Sequence, residues 1–270
     1  MIDYFFKNGT AHDICEDYIC HDENSLFLSD GCSSASNTDI GSRILSLVAR
    51  KNFKDYWITN LEFSLDDILN KTIFDAEVII NSLSVRIEAL FTTLIIAKTV
   101  KDSKYISLSF IGDGSAALVK HDGTIRVYDI EFNRNAPKYL AYRLSESYST
   151  DFHSILGNNR ITTIFDLKDG EKTNSKIEIE YNHLGYPDVK TFIIDKSEFK
   201  NAIIFSDGIK SFLTPDEKNI PVEEIITKLV DFKCITENFV KRRVNKFYKD
   251  ISKDGISHYD DLSIAALHLG

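Results

Sequence analysis

The sequence predicts an α+β fold in which two mainly antiparallel sheets lie face to face with helix pairs outside them. Three observations carry this. Helical stretches sit before and after a long strand-rich middle part, from about residue 104 to 207, instead of alternating with strands. The middle part has the short apolar period of strands. Turn residues such as Asp122-Gly123 break it at hairpin spacing. With 43% hydrophobic and 27% charged residues over 270 positions, the chain has the balance of a soluble globular protein and the apolar material for a sizeable core.

Taken in order, residues 37 to 50 predict a helix capped by Asn37 or Thr38, with Ile40, Ile44, Leu45, Leu47 and Val48 as its apolar stripe. Residues 63 to 81 predict helix and turn. A second helix is expected over 82 to 99, with Leu83, Ile87, Leu90, Leu94 and Ile95 on one face. Strands follow in "YISLSFIGD", "SAALVKHDGTIRVYDI", "SKIEIEYNH", "VKTFIID" and "NAIIFSD". Residues 145 to 176 are the most polar and least periodic part, which predicts a surface subdomain or flap. Beyond residue 208 the chain turns helical in "PVEEIITKLVDF", where Pro221 suits a first turn, and in "ITENFVKRRVNKFYKDI". It finishes with a strand, "DDLSIAALHL". No repeat of 20 to 50 residues is present.

The formal charge of −9 argues against nucleic-acid binding, which needs a basic excess to displace counterions. Lys241, Arg242 and Arg243 read as one exposed helix face. The start "MIDYFFKNGT" lacks the build of a signal peptide, and "IEALFTTLIIAKTV" is too short to span a bilayer, so a cytosolic protein without membrane contact is expected. Cys15, Cys20, Cys32 and Cys234 form no C-x-x-C pair, and free thiols are expected.

The chemistry is written in the acids. Three apolar runs end the same way: "SLFLSDG" on Asp30-Gly31, "SLSFIGDG" on Asp113-Gly114 and "NAIIFSDG" on Asp207-Gly208. Asp122, Asp169 and Asp254 also precede glycine, and these are assigned to ordinary turns. Glu16-Asp17 and Asp260-Asp261 flank strands from the opposite side. If these ends meet, several carboxylates share one place, and two of them about 4 Å apart repel by about 4 kcal/mol at an effective dielectric near 20. Protons or cations must resolve that repulsion. A hard-oxygen ligand set without clustered His and Cys favours Mg²⁺ or Mn²⁺ over Zn²⁺. A glycine after the acid lets a backbone carbonyl approach the ion. Two such ions suit hydrolysis of a phosphate monoester. "GDGSAA" at 112 to 117 fits a dinucleotide pattern but precedes a strand where a helix is required.

With "CEDY", "LFLSDGCSS", "FIGDGSAAL", "AIIFSDGIKSF" and "DDLSIAAL" in this order, the chain resembles the metal-dependent type 2C serine/threonine protein phosphatases from about residue 8 to 269, in a bacterial-like branch. The resemblance implies a single 1–270 domain built as a four-layer α-β-β-α sandwich. It also implies hydrolysis of phosphoserine and phosphothreonine in proteins with two, at most three, Mg²⁺ or Mn²⁺ ions. Asp17, the bridging Asp30, the Gly31 carbonyl, Asp207 and Asp260 would hold the metal pair, and Asp113 would help Asp207 hold a third ion. Partners would be a phosphorylated protein substrate and a cognate kinase. Three departures bear on mechanism: Cys32 stands where the family often has a His acid, His12 stands where it has a phosphate-binding Arg, and the family's R-A-x-G-D segment is not recognisable in residues 130 to 200. His12 is therefore expected both to bind phosphate and to protonate the leaving oxygen. His258 is expected to be a loop residue, Glu16 and Asp261 either support the metal ligands or are exposed, and a catalytically weak module that binds a phosphorylated partner is the alternative function.

Overall fold

In the computed structural model, residues 1–58, 64–99, 103–183 and 187–270 are described. Phe63, in the predicted helix-and-turn stretch, and Val100, at the end of the long apolar stretch, lie outside them. The chain runs through β1 (Ile2–Lys7), β2 (Tyr18–His21), β3 (Ser25–Ser29), α1 (Thr38–Ile58), α2 (Leu65–Ser82), β4 (Leu94–Thr99), β5 (Tyr105–Ile111), β6 (Gly114–Lys120) and β7 (Ile125–Phe132). It continues through α3 (Glu146–Ser154), β8 (Arg160–Lys168), β9 (Glu171–Glu180), β10 (Val189–Asp195), β11 (Phe199–Phe205), β12 (Phe212–Leu213), α4 (Val222–Leu229), α5 (Phe239–Ile251), β13 (Ser257–His258) and β14 (Leu262–His268). One sheet has the order β1-β14-β11-β6-β7-β8-β9, the other β10-β5-β4-β3-β2, and β12 pairs with β13. All named strand pairs are antiparallel.

The alternation of side chains along each strand explains the four layers. Leu26, Leu28, Ile95 and Ala97 of one sheet, with Ala116, Leu118, Ala202, Ile204 and Ala265 of the other, fill the space between the sheets. Their neighbours point outward: Phe27, Leu94 and Ile96 pack under the α1 and α2 residues Leu45, Ala49, Leu69 and Ile73. Ala117, Val119, Ile203, Phe205 and Ile264 pack under Ile225 and Ile226 of α4 and Val240, Val244 and Phe247 of α5. Both faces of each central strand are buried, so they read as continuous apolar runs.

That same property overturns the helix expected over 82 to 99. α2 already occupies 65 to 82, opened by a Ser64–Asp67 capping box, and Ser84 at φ 57° ends it. Residues 87 to 90 are a 3₁₀ turn and 94 to 99 are strand β4. "LIIAK" is buried throughout, and a short apolar run fits a buried strand as well as a helix. α1 outlasts its predicted end at 50 because Phe53 packs on Phe27, ring centroids 5.5 Å apart, and buried Asn52 donates to Asp75 of α2.

The stretch 145 to 176, expected as a flap, is ordered as α3, β8 and part of β9. Phe165 and Leu167 of β8 belong to the core beneath α4 and α5, whereas β9 is a largely exposed edge strand. Arg143 braces the approach to α3. Its guanidinium donates to Asp188 Oδ2 at 2.6 Å, to Asp66 Oδ1 at 2.7 Å and to Asn70 Oδ1 at 2.6 Å. Pro221 sits one position earlier than expected, as the N-cap of α4. The predicted basic face is partly spent on the chain itself: Arg242 donates to the Glu237 carbonyl and Arg243 to that of Lys228. All four cysteines are free. Among the described residues, no helix is long and apolar enough to cross a membrane.

Candidate metal centre

Strand register brings the acids to one end of the sandwich. In the five-stranded sheet Tyr18 lies opposite Ser29, Leu28 opposite Ile95, and Leu94 opposite Ile111. Asp17 just before β2, Asp30 just after β3 and Asp113 just after β5 are therefore at the same edge. In the other sheet Phe205 lies opposite both Ser115 and Ile264, which sets Asp207, Asp260 and Asp261 beside Asp113. Gly112 at φ 87° and Gly114 at φ 127° let the chain pass from one sheet to the other in a single step with Asp113 between them.

The turn that carries Asp207 is sewn to the segment that carries Asp260. Ser211 Oγ donates to the Gly208 carbonyl at 2.8 Å and accepts from the Asp260 N–H at 3.2 Å. Gly208 touches that segment's backbone, since a Cβ there would lie 1.8 Å from the Asp261 carbonyl oxygen. On the other side the Thr93 hydroxyl accepts from the Asp30 N–H at 3.1 Å.

Burial and mutual repulsion among these carboxylates raise their pKa values. Burial, then the charges of Asp17 and Asp207, hold the Asp30 carboxyl well above the usual range. Burial pushes Asp17 up to about 8, with Ser263, Ser206 and Asp30 near enough to moderate the effect. Asp113 is pushed up to about 8 by burial and by Asp207, and Asp260 to about 6 for the same two reasons. Asp17 is 1% exposed, and neither of its carboxylate oxygens has an aligned hydrogen-bond donor. A buried carboxylate left in that state is costly.

A cation fits this set of oxygens. The donors are hard, and Asp30, Gly31, Asp113, Asp207 and Asp260 line a cleft of about 300 Å³ together with Tyr139 and others, while the two orphaned oxygens of Asp17 are buried outside that lining. Among the described residues no three His, Cys, Asp or Glu side chains are already arranged to hold one ion by themselves. That is compatible with Mg²⁺, which keeps several waters and takes only one or two carboxylates directly.

His12 lies against the acids and not on the cleft wall. Its Nδ1 is 3.0 Å from Asp261 Oδ2, without hydrogen-bond alignment, and its Nε2 is 3.7 Å from Asp260 Oδ1. Burial pulls the imidazole pKa down, but Asp261, Asp260 and Glu16 more than reverse this, and the net shift is upward. Cys32 does line the cleft, with Sγ 3.0 Å from Ser34 Oγ. Asp261, 2% exposed, ties down the 9–17 segment: it accepts from the Gly9 N–H at 2.9 Å and the Glu16 N–H at 2.7 Å. Glu16 accepts from Thr38 at 3.0 Å. His258 is a strand residue in β13, not a loop one, stacked on Phe212 at 4.6 Å and 3.0 Å from the Tyr248 hydroxyl.

Lys210, Asp129 and Glu131 were not read from the sequence as site residues. Lys210 bridges the two acids of β7 at 2.8 and 2.7 Å and lines a second lobe of about 320 Å³ with Asp113 and Asp207. Nothing in their spacing announces this, because Asp129 reaches the site only through its register opposite Ser115.

A protein phosphatase 2C sequence profile matches residues 10–248. No curated protein matches the chain by sequence. Among solved structures, serine/threonine phosphatase Stp1 from Staphylococcus aureus is similar at a TM-score of 0.54 and 13% identity, over 100% of this chain and 94% of that one. The PPM Ser-Thr phosphatase MsPP from Mycobacterium smegmatis, solved with cacodylate, gives 0.55 and 13% over 100% and 98%. The serine/threonine phosphatase PstP/Ppp from Mycobacterium tuberculosis gives 0.50 and 13% over 99% and 98%. At these identities the likeness is one of fold.

Proposed function

Because the chain belongs to the protein phosphatase 2C family and is thus a serine/threonine protein phosphatase, we propose that it hydrolyses phosphoserine and phosphothreonine in proteins with two divalent cations, Mg²⁺ or Mn²⁺. The observation that supports this most is the meeting of Asp17, Asp30, Asp207 and Asp260 at one end of the sandwich, with both Asp17 oxygens buried and unpartnered. When bound, such ions lower the pKa of a water between them and polarise a phosphoryl oxygen.

In this reading Asp17, Asp30, Asp207, Asp260 and the Gly31 carbonyl would hold the two ions. Asp113 and Asp207 form a further cation-attracting end. Asp261 and Thr93 keep the ligand-bearing backbone in place. His12 lies beside Asp261 and Asp260, whose charges outweigh its burial and raise its pKa, and in this reading its imidazole is the proton donor to the leaving serine or threonine oxygen. Its second expected role, binding the substrate phosphate, is not part of this reading, because His12 is not among the described residues that line the cleft. The whole 1–270 chain serves as one catalytic unit, with the exposed β9 edge beside it, and it reverses the action of a protein kinase on its substrate.

The deciding experiment is hydrolysis of p-nitrophenyl phosphate and a phosphothreonine peptide with Mn²⁺, with EDTA, and with Asp30→Ala and Asp207→Ala. Mn²⁺-dependent turnover lost in both variants is expected. Folded, Mn²⁺-binding protein without turnover would overturn the enzyme reading in favour of a module that binds a phosphorylated partner, which the Cys32 thiol in the cleft wall already makes worth testing. His12→Ala is expected to slow an alkyl phosphate far more than an aryl phosphate, whose leaving group needs no proton. Equal rates for wild type and variant on both would remove His12 from the mechanism.

A further inference from the structure

A phosphate entering the acid-lined cleft meets no cationic side chain. Among the described residues that line its space of about 300 Å³ none is Lys, Arg or His, and Lys210 in the adjoining lobe is already held between Asp129 and Glu131. Recognition of the phosphoryl oxygens therefore falls to neutral donors on the wall. Of these, Ser33, Ser34 and Asn135 are exposed, and the Thr93 hydroxyl already braces the Asp30 N–H. Tyr139 is different. It is 7% exposed, its ring stacks on Phe91 at 5.9 Å and 9°, and it packs edge-on against Tyr142 at 5.5 Å. The Phe91 carbonyl in turn accepts from the Cys32 N–H at 2.9 Å, and Gly31 pairs with Thr92. The same short segment thus carries the phenol and anchors the loop that follows Asp30. Burial, then the adjacent Cys32 thiol and the Asp113 carboxylate, raise the phenol's pKa and keep its hydroxyl in the donor form.

We infer that the Tyr139 hydroxyl donates a hydrogen bond to the substrate phosphate, so that this chain grips the phosphoryl group with a fixed neutral phenol and not with a cationic side chain. In the free protein the hydroxyl's neighbour is the Cys32 sulfur, a weak acceptor. A phosphoryl oxygen carries charge and takes the stronger bond. A ring already held between Phe91 and Tyr142 also loses little freedom when it engages a ligand. Tyr139 has this role only if the cleft is the phosphatase site proposed above.

Isothermal titration of inorganic phosphate into the Mn²⁺-loaded protein is the test, because the product binds without turnover. Tyr139→Phe keeps the stacked ring and removes only the hydroxyl. Its phosphate dissociation constant should rise by about tenfold or more with Mn²⁺ affinity unchanged, and KM for p-nitrophenyl phosphate should rise in parallel while kcat changes by about threefold or less. Tyr142→Phe, in the same aromatic cluster but not on the cleft wall, should bind phosphate as the wild type does. Phosphate binding by Tyr139→Phe within about twofold of wild type would overturn the inference and leave the phosphatase reading standing. A loss that Tyr142→Phe shares, or that accompanies weaker Mn²⁺ binding, would overturn it too, because the hydroxyl would then act through the fold or the metal ligands. Wild-type protein that binds Mn²⁺ but no phosphate would sink the reading of the cleft itself, and this inference with it.

Discussion

Acid should weaken the protein through His258 by an amount that the structure lets one work out. Burial, and secondarily the Lys7 charge, lowers this imidazole from 6.5 to about 4. The folded state therefore keeps it neutral, while the unfolded chain takes a proton as pH falls below its ordinary value. The stability contributed by neutral burial is thus full above about pH 6.5 and is lost as pH falls toward about 4, a window of about 2.5 units or roughly 3 kcal/mol. At about pH 5 some 2 kcal/mol of this should be gone relative to about pH 8. The carboxylates of the cleft change stability in the opposite sense over the same range, so the wild-type curve alone does not isolate the histidine. His258→Gln does, because Gln still offers an oxygen to the Tyr248 hydroxyl but does not titrate, and the cleft acids cancel in the difference. Urea unfolding of both proteins at the two pH values, in EDTA, gives the four free energies required. The wild-type advantage should shrink by about 2 kcal/mol on acidification. An unchanged difference would mean that His258 is protonated or solvated in the folded state, and the argument from its burial would fail.

The acid cluster gives the complementary prediction. Asp17 and Asp113, with folded values raised to about 8, and Asp260, raised to about 6, contribute stability that is full below their ordinary range and is lost as pH rises through those values. Metal-free protein should melt at a lower temperature at about pH 8 than at about pH 6, and Mn²⁺ should raise the melting temperature more at the higher pH; calorimetry with and without EDTA measures both. Gly208→Ala places a Cβ 1.8 Å from the Asp261 carbonyl oxygen, so the Asp207 turn must move off the Asp260 segment. We expect a loss of about 1–3 kcal/mol in urea unfolding together with weaker Mn²⁺ binding, whereas unchanged Mn²⁺ affinity would show that the contact does not position the acids. Arg143→Ala leaves Asp188, 15% exposed, without its bidentate guanidinium partner and unties α2 from the residue just before β10. Thermal unfolding should report a loss of about 2–4 kcal/mol, with Mn²⁺ binding intact.

The acids were legible because three strands end on them in the same way, and a strand that terminates in Asp-Gly at a buried sheet edge has few structural reasons to do so. Their convergence follows from antiparallel pairing, which the hairpins and turn residues already suggested. The strand Leu94–Thr99 was not legible, because a side chain buried on both faces leaves no period to read and the spacing of Leu83, Ile87, Leu90 and Leu94 imitates a helix. The order in residues 145 to 176 was hidden for the opposite reason. β9 is an edge strand with exposed polar side chains, and its pairing with β8 is carried by the backbone, not by apolar alternation. Lys210 is not legible in the sequence because its partners Asp129 and Glu131 lie 81 and 79 positions away, and the sheet register brings them into reach.

The crossing at Gly112–Gly114 has a mechanical meaning. Asp17 and Asp30 hang from one sheet, Asp207 and Asp260 from the other, and Asp113 sits on the short link between them. Ions gripped by both sets would work as a rivet across the mouth of the sandwich, at an edge where repelling charge tends to prise the layers apart. Loading with metal would then shut the frame in the same act that equips it for chemistry, and the spacing between the two sheets at that edge would become a gauge of whether the enzyme is armed.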